Sequence, residues 1–174
     1  MNRKAFKILI IVLAVVSCVV IGFSVFSHRS SSFIFTKTTN LSEEHIGGLQ
    51  LYDNIDSKEF IKKYGIKIQR LENDLFDYYK LSNDLEIAVN NNRQIIRIAI
   101  DDISGSSINT SKNIGVGNSV DEIIKVYGNN YYKRMSDFGV PVIGYVDKER
   151  EINLEFFNYE NTVVIIRYDI NSMQ

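Results

Sequence analysis

The sequence predicts an α+β protein with an N-terminal transmembrane helix, followed by two tandem repeats that each pack a short helix on an antiparallel β-sheet. Two observations predict this fold class. Residues 8–26 form one uncharged apolar stretch, and the rest of the chain contains two similar segments in which a helical pattern precedes strand-like alternation. The predicted divisions are an anchor (1–29), a polar tether (30–44), a first repeat (45–104), a linker (105–113) and a second repeat (114–174).

The apolar stretch from Ile8 to Phe26 has the length of a membrane-spanning helix. At 1.5 Å per residue it extends about 28 Å, close to the thickness of the hydrocarbon core. Three positive charges precede it, on Arg3, Lys4 and Lys7, whereas only Arg29 closely follows. This asymmetry predicts a single-pass protein of the cell membrane, with a cytoplasmic N-terminus and the C-terminal domain outside.

Two other interpretations of the same segment remain open. Small residues at Ser24 and Ser27 permit a cleaved signal peptide. Residues 15–18, Val-Val-Ser-Cys, resemble a bacterial lipobox, which would make Cys18 a lipidation site, although the apolar residues after it depart from that pattern. Either anchor leaves the following domain on the same side of the membrane.

Charge and cysteine content exclude several classes of function. Four of the 20 basic residues but none of the 21 acidic residues lie in the first 29 positions, so the rest of the chain is mildly acidic. Nucleic-acid binding is therefore not expected, because a phosphate backbone attracts clustered Lys and Arg. Cys18 is the only cysteine, so the soluble part can form neither a disulfide nor a thiolate metal site.

The two repeated segments, 51–65 and 116–128, both end in Tyr-Gly. We expect Gly65 and Gly128 to occupy the left-handed position that ends a helix. The two helix starts have capping-box spacing, and the residue pairs are Asp56 with Glu59 and Ser119 with Glu122.

Strand-like segments follow each predicted helix, at 77–81, 85–89 and 96–100 in the first repeat and at 143–146, 152–156 and 164–168 in the second. Alternation directs the aliphatic residues toward the helix. It places Glu86, Arg97, Glu155 and Arg167 on the opposite face of the sheets, which we expect to be free.

The second repeat resembles the β-lactamase-inhibitor-protein-like fold, which is shared with SmpA/OmlA-type envelope lipoproteins. The matching residues are 117–120, Ile124, 127–128, 144–145, 154–156 and 163–166. The first repeat matches only faintly. Members of this group are mostly binding or assembly modules, and the inhibitor itself contains two tandem copies. The resemblance therefore implies a binding module and does not identify its partner.

The sequence offers weak candidates for catalysis, cofactors or metal. Gly115 and Gly117 precede a helix, but Val120 replaces the third glycine of a dinucleotide fingerprint. His45 is accompanied only by acidic neighbours, which indicates a solvated charge cluster rather than a metal site. We therefore predict no enzyme activity, no cofactor and no metal. An extracytoplasmic hydrolase acting on envelope polymers is the alternative, and a structural part of a membrane complex is a third.

Aromatic residues are more numerous than two small cores require. We predict a partner-binding surface that includes Tyr131, Tyr132, Tyr145 and Phe157, because tyrosine is favoured at protein interfaces. The competing interpretation is that these rings fill the core. The sequence thus predicts a membrane-tethered binding or regulatory module for an unidentified protein or envelope partner.

Overall fold

A computed structural model describes residues 35–73, 75–81, 85–101 and 107–173. Thr36–Gln174 form one compact unit. The predicted span 8–26 and the candidate lipidation site Cys18 lie outside the described residues.

None of the helices in these described ranges is both long and apolar enough to span a bilayer. The transmembrane helix of the predicted fold class, and the single-pass localisation in the cell membrane, are therefore withdrawn. The helix was predicted from the hydropathy of residues 8–26, and its orientation from the basic residues on either side of that segment.

The described residues form two short α-helices, eight β-strands and one 3₁₀ helix. The helices are α1 (Lys58–Tyr64) and α2 (Val120–Tyr127), and Asn171–Met173 form the 3₁₀ helix. The strands are β1 (Gln69–Leu71), β2 (Asp77–Lys80), β3 (Leu85–Val89), β4 (Ile95–Asp101), β5 (Tyr132–Met135), β6 (Pro141–Asp147), β7 (Ile152–Tyr159) and β8 (Thr162–Ile170).

All eight strands belong to one antiparallel sheet, with the order β1-β2-β3-β4-β8-β7-β6-β5. The predicted fold class of two helix-on-sheet repeats was therefore wrong. The physical reason is the pairing of β4 with β8, in which Arg97 lies opposite Asp169 and Ala99 opposite Arg167. This pairing merges the strands that follow α1 with those that follow α2 into a single sheet.

The start of each helix is fixed by a side-chain cap. Ser57, rather than the predicted Asp56, caps α1 by accepting a hydrogen bond from the backbone N–H of Phe60 at 3.2 Å. The predicted capping box of α2 is confirmed, because Ser119 and Glu122 each accept a hydrogen bond from the other's backbone N–H. These bonds satisfy donors that the first helical turn leaves unpaired.

Glycine ends both helices in a conformation that other residues avoid. Gly65 has φ 84° and ψ 172°, and Gly128 has φ 88° and ψ −173°. The positive φ agrees with the prediction, but the extended ψ places both residues in a region that is essentially restricted to glycine rather than in the left-handed helical region. Each glycine N–H still donates to the helix, to Ile61 O and to Ile124 O, at 2.8 Å.

Replacing Gly128 by valine is expected to lower the free energy of unfolding by about 1–3 kcal/mol, because a β-branched residue is strained at this φ and ψ. An added Cβ would meet no atom within 4 Å, so the loss reports backbone strain rather than a steric clash. Urea denaturation measures it. Gly128→Ala is the matched control for side-chain size. An unchanged urea midpoint for the valine variant contradicts the assignment of Gly128 to a conformation restricted to glycine.

The core lies between the helices and one face of the sheet. Its central side chains alternate along the strands as the sequence predicts, and they include Ile87, Ile98, Leu154, Phe156 and Ile166, which meet Ile123 of α2.

The end of the predicted tether is part of this folded unit. Leu41 and Glu44 are buried. The Glu44 carboxylate accepts hydrogen bonds from Tyr127 OH at 2.9 Å and from the backbone N–H of Ser111 at 2.8 Å. Glu44 therefore anchors the segment before α1 to the end of α2, and the prediction of a solvated acidic cluster here was wrong.

Candidate functional site

The side chains that alternate with the core residues form the second face of the sheet, which we call the outer face. Cross-strand pairing places four of its residues in one row, in the order Glu155, Arg167, Ala99 and Glu86 on β7, β8, β4 and β3. A neighbouring row contains Asn153, Asp169, Arg97, Ala88 and Tyr78. Charged and small residues therefore lie side by side on the outer face.

Glu155 is fully buried beneath two arginines. Arg134 approaches it as a fork, donating from Nε to Oε1 at 2.7 Å and from Nη2 to Oε2 at 2.8 Å. Arg167 Nη2 donates to Oε2, and Tyr132 OH donates to Oε1 at 2.7 Å. Burial by itself raises the pKa of Glu155, but the hydrogen bonds from Arg134 and the charges of both arginines hold the pKa below its ordinary value.

Asp169 is also fully buried, but it has fewer partners. Its Oδ2 accepts from Nε and Nη2 of Arg97, and Arg167 Nε lies 3.5 Å from the same oxygen. Oδ1 has no hydrogen-bond partner among the described residues. Burial therefore outweighs the attraction of Arg97 and raises the pKa of Asp169, in contrast to Glu155.

Other contacts hold the arginines in place. Arg97 Nη1 donates to Tyr78 OH at 3.1 Å, and its Nη2 donates to the carbonyl of Met173 in the 3₁₀ helix at 3.0 Å. The guanidinium groups of Arg134 and Arg167 lie 5.6 Å and 4.9 Å from the ring centroid of Phe157, within the range of a cation–π contact.

A depression of about 350 Å³ opens beside this network. Ala99 lies between Arg167 and Glu86 in the cross-strand row, so the middle of the row carries only a methyl group. The residues that line the depression are Leu71, Glu72, Asn73, Tyr78, Glu86, Arg97, Ala99 and Arg167. The walls of the depression therefore carry both positively and negatively charged side chains.

Of the four predicted partner-binding residues, Tyr145 is in the core. It is fully buried, and its ring centroid lies 5.2 Å from that of Tyr127 and 6.4 Å from that of Phe156. Its hydroxyl donates to the carbonyl of Gly128 at 2.9 Å. The surface interpretation of Tyr145 was therefore wrong, because β6 directs it toward α2.

The other three predicted residues do not form an exposed aromatic patch either. Tyr131 is half-buried against the core, edge-on to Tyr145. Tyr132 and Phe157 are on the outer face but are buried, with exposures of 4% and 7%. A Cβ added to Gly144 would lie 2.2 Å from Cζ of Tyr132, so the Tyr132 ring covers that glycine.

Arg134, Asp169 and Tyr78 also belong to the outer-face network, and none of the three was predicted as a member of it. Asp169 has the same parity as Arg167 along β8, and this spacing could have revealed it. Arg134 is on β5, a strand that was not predicted from the sequence.

Over the ranges that the structure describes, no group of three or more His, Cys, Asp or Glu side chains is arranged to hold a metal ion. The two buried carboxylates of the outer face, Glu155 and Asp169, are instead engaged by guanidinium groups.

Comparisons with known proteins do not assign a family. No protein-family model matches the chain, and no curated protein matches it. A solved structure of a cysteine-rich secretory protein from Staphylococcus aureus is similar over 71% of this chain, with 14% sequence identity and a TM-score of 0.47. The similar region covers 44% of that protein, so this chain matches less than half of its length.

Proposed function

We propose that this protein is a binding module that recognises a protein partner through the outer face of its sheet. The observation that carries the proposal is the arrangement of three arginines, Arg97, Arg134 and Arg167, held on one face by two fully buried carboxylates. The carboxylates are inaccessible, whereas the arginine side chains keep between 14% and 23% of their surface exposed.

Fixed arginines favour binding for an energetic reason. Immobilising a long side chain at an interface costs about 0.5–1.5 kcal/mol, and this cost falls when the free protein already holds the side chain in place. Arginine is enriched in protein interfaces and among the residues that dominate their affinity. The outer face thus presents pre-ordered donors of a kind that protein partners use.

The state of Glu155 and Asp169 favours a structural role over a catalytic one for these two carboxylates. A general acid at neutral pH needs a raised pKa and access to a substrate. The pKa of Glu155 is lowered, and Asp169 is completely buried under Arg97 and beside Arg167. The resemblance to the β-lactamase-inhibitor-protein-like group, whose members are mostly binding or assembly modules, also supports this proposal.

A pair of matched variants tests which face binds. Ala99→Gln inserts a neutral side chain into the depression without removing any group of the arginine network, and Val126→Gln introduces the same side chain on α2, on the other side of the sheet. Capture of a crosslinked protein partner from cells that produce this protein is expected to fall about tenfold or more for Ala99→Gln, because interface packing tolerates little added volume.

Val126→Gln is expected to capture the partner as the unmodified protein does. Circular dichroism and thermal melting confirm that both variants are folded. Equal capture by the two variants, or loss only with Val126→Gln, contradicts the assignment of the outer face.

A further inference from the structure

Arg167 differs from the other two arginines in its unused hydrogen-bonding capacity. Arg97 and Arg134 each donate from Nε, Nη1 and Nη2 to groups of the chain itself. Arg167 donates one hydrogen bond, from Nη2 to Glu155, and its buried Nε has no hydrogen-bond partner among the described residues. The buried Nε faces Asp169 at 3.5 Å, so the capacity that Arg167 retains for a bound carboxylate lies in its two Nη groups.

Space for a bound group exists directly beside Arg167. Its cross-strand neighbour on β4 is Ala99, and the depression extends from Arg167 across Ala99 to Glu86. Adjacent strands are about 4.8 Å apart, so the strands that carry Arg167 and Glu86 are separated by roughly 10 Å. Only the methyl group of Ala99 lies between these two residues in the row.

The far wall of the depression has the opposite charge. The half-buried Glu86 carboxylate accepts no hydrogen bond in the described part of the chain. Burial raises the pKa of Glu86 and the charge of Asp101 adds to this effect, while Arg97 and Lys80 act in the opposite direction. The attraction of a cation bound beside Glu86 would offset the cost of burial and the repulsion from Asp101.

We infer that the depression binds an extended segment of the protein partner that places a carboxylate against Arg167 and a cationic side chain against Glu86. The inference rests on the proposed function and specifies the chemistry of the partner. Charge complementarity identifies the occupant, because the walls of the depression offer spare donors at one end and a carboxylate that accepts no hydrogen bond from the described residues at the other. In an extended segment, side chains two residues apart point to the same side at a separation of about 6.5–7 Å. An acidic residue and a flexible Lys or Arg at such positions span the two walls.

A library of random short peptides, selected on the immobilised full-length protein, tests this chemistry. Selected peptides are expected to be enriched in Asp or Glu together with Lys or Arg. Changing the acidic residue of a selected peptide to its amide is expected to weaken binding about tenfold or more, since a hydrogen bond to a charged group contributes that much. This change leaves the protein itself untouched, so misfolding cannot cause the loss.

Two matched protein variants locate the contact. Arg167→Lys keeps the charge beside Glu155 but removes the forked donors, and it is expected to weaken the selected peptide about tenfold. Arg150→Lys makes the same change at an arginine that pairs with Asp147 in the turn after β6 and does not line the depression, and it is expected to change affinity less than about twofold. Glu86→Gln is expected to reduce selection for basic residues only.

The selected peptide also shows whether the bound carboxylate is a side chain or the C-terminus. Loss of binding on amidating the peptide C-terminus indicates a terminal carboxylate, and loss on changing the acidic side chain indicates an internal one. Either result supports the inference.

Failure of the inference is distinguishable from failure of the proposed function. Peptides whose binding requires neither an acidic side chain nor a free C-terminal carboxylate, or that respond to Ala99→Gln but not to Arg167→Lys, overturn the inference while leaving the outer face as the binding surface. A selection that yields no enriched peptide also overturns the inference. Peptides that bind equally to all the outer-face variants overturn both the inference and the proposed function.

Discussion

Replacing Glu155 by alanine is expected to lower the free energy of unfolding by about 3–5 kcal/mol, which is the usual cost of removing one partner from a buried ion pair. The carboxylate accepts hydrogen bonds from Arg134, Arg167 and Tyr132. Without it, two partly buried guanidinium groups lose the negative charge that compensates them. Urea denaturation monitored by circular dichroism measures the change.

An exposed ion pair provides the matched control. Asp56 pairs with Arg93 at 3.3 Å, and both side chains are well exposed. Asp56→Ala removes an arginine-bound carboxylate in the same way but is expected to cost no more than about 1 kcal/mol. Similar losses for Asp56→Ala and Glu155→Ala would show that the buried network does not stabilise the sheet.

The Glu155 carboxylate is expected to stabilise the folded protein less as the pH falls. Its folded-state pKa is below the ordinary value of 4.5, so the stabilisation is fully present above about pH 4.5 and is lost as the pH falls through the folded-state pKa. Glu155→Gln is therefore expected to lose less stability than the unmodified protein between pH 5 and acidic pH, because the glutamine has no charge to lose. The charge of Glu155 also helps to raise the pKa of Asp169, so the comparison reports the two carboxylates together.

The parts of the fold that local signals specify could be predicted from the sequence. Alternating aliphatic residues identified β3, β4, β7 and β8, since a half-buried strand must repeat every two residues. The Tyr-Gly steps marked the ends of both helices because Gly65 and Gly128 have a positive φ. The same alternation assigned Glu86, Arg97, Glu155 and Arg167 to the face opposite the core, where the structure places them.

The long-range pairing could not be predicted in this way. Alternation along β4 and β8 is compatible with two separate sheets or with one continuous sheet, because it does not specify which edges meet. The edge strands β1 and β5 were missed since they have only three and four residues and are mostly polar. Without β5, the contribution of Arg134 to the candidate site was not apparent.

The position of Tyr145 shows a different limit of sequence patterns. Val142, Ile143, Tyr145 and Val146 of β6 are all apolar and all buried, and Gly144 separates them. A strand that is buried on both faces has no polar side to set its parity. The sequence therefore could not decide whether Tyr145 belongs to the outer face or to the core.

Replacing Tyr145 by alanine is expected to lower the free energy of unfolding by about 3–5 kcal/mol, because it removes a fully buried ring from the contact between α2 and the sheet. Tyr145→Phe keeps the ring and removes only the hydrogen bond to the Gly128 carbonyl, so its expected cost is about 0.5–1.5 kcal/mol.

Tyr159→Ala is the control for an exposed tyrosine, since that side chain is 64% exposed and lies at the end of β7. Its expected effect is within about 0.5 kcal/mol. Urea denaturation of the three variants separates ring burial from the hydroxyl contact. The core assignment predicts a large loss for Tyr145→Ala, a small loss for Tyr145→Phe and almost none for Tyr159→Ala. If Tyr145→Ala instead matched Tyr159→Ala in stability, Tyr145 could not fill the core, and the packing of α2 against β6 described here would be wrong.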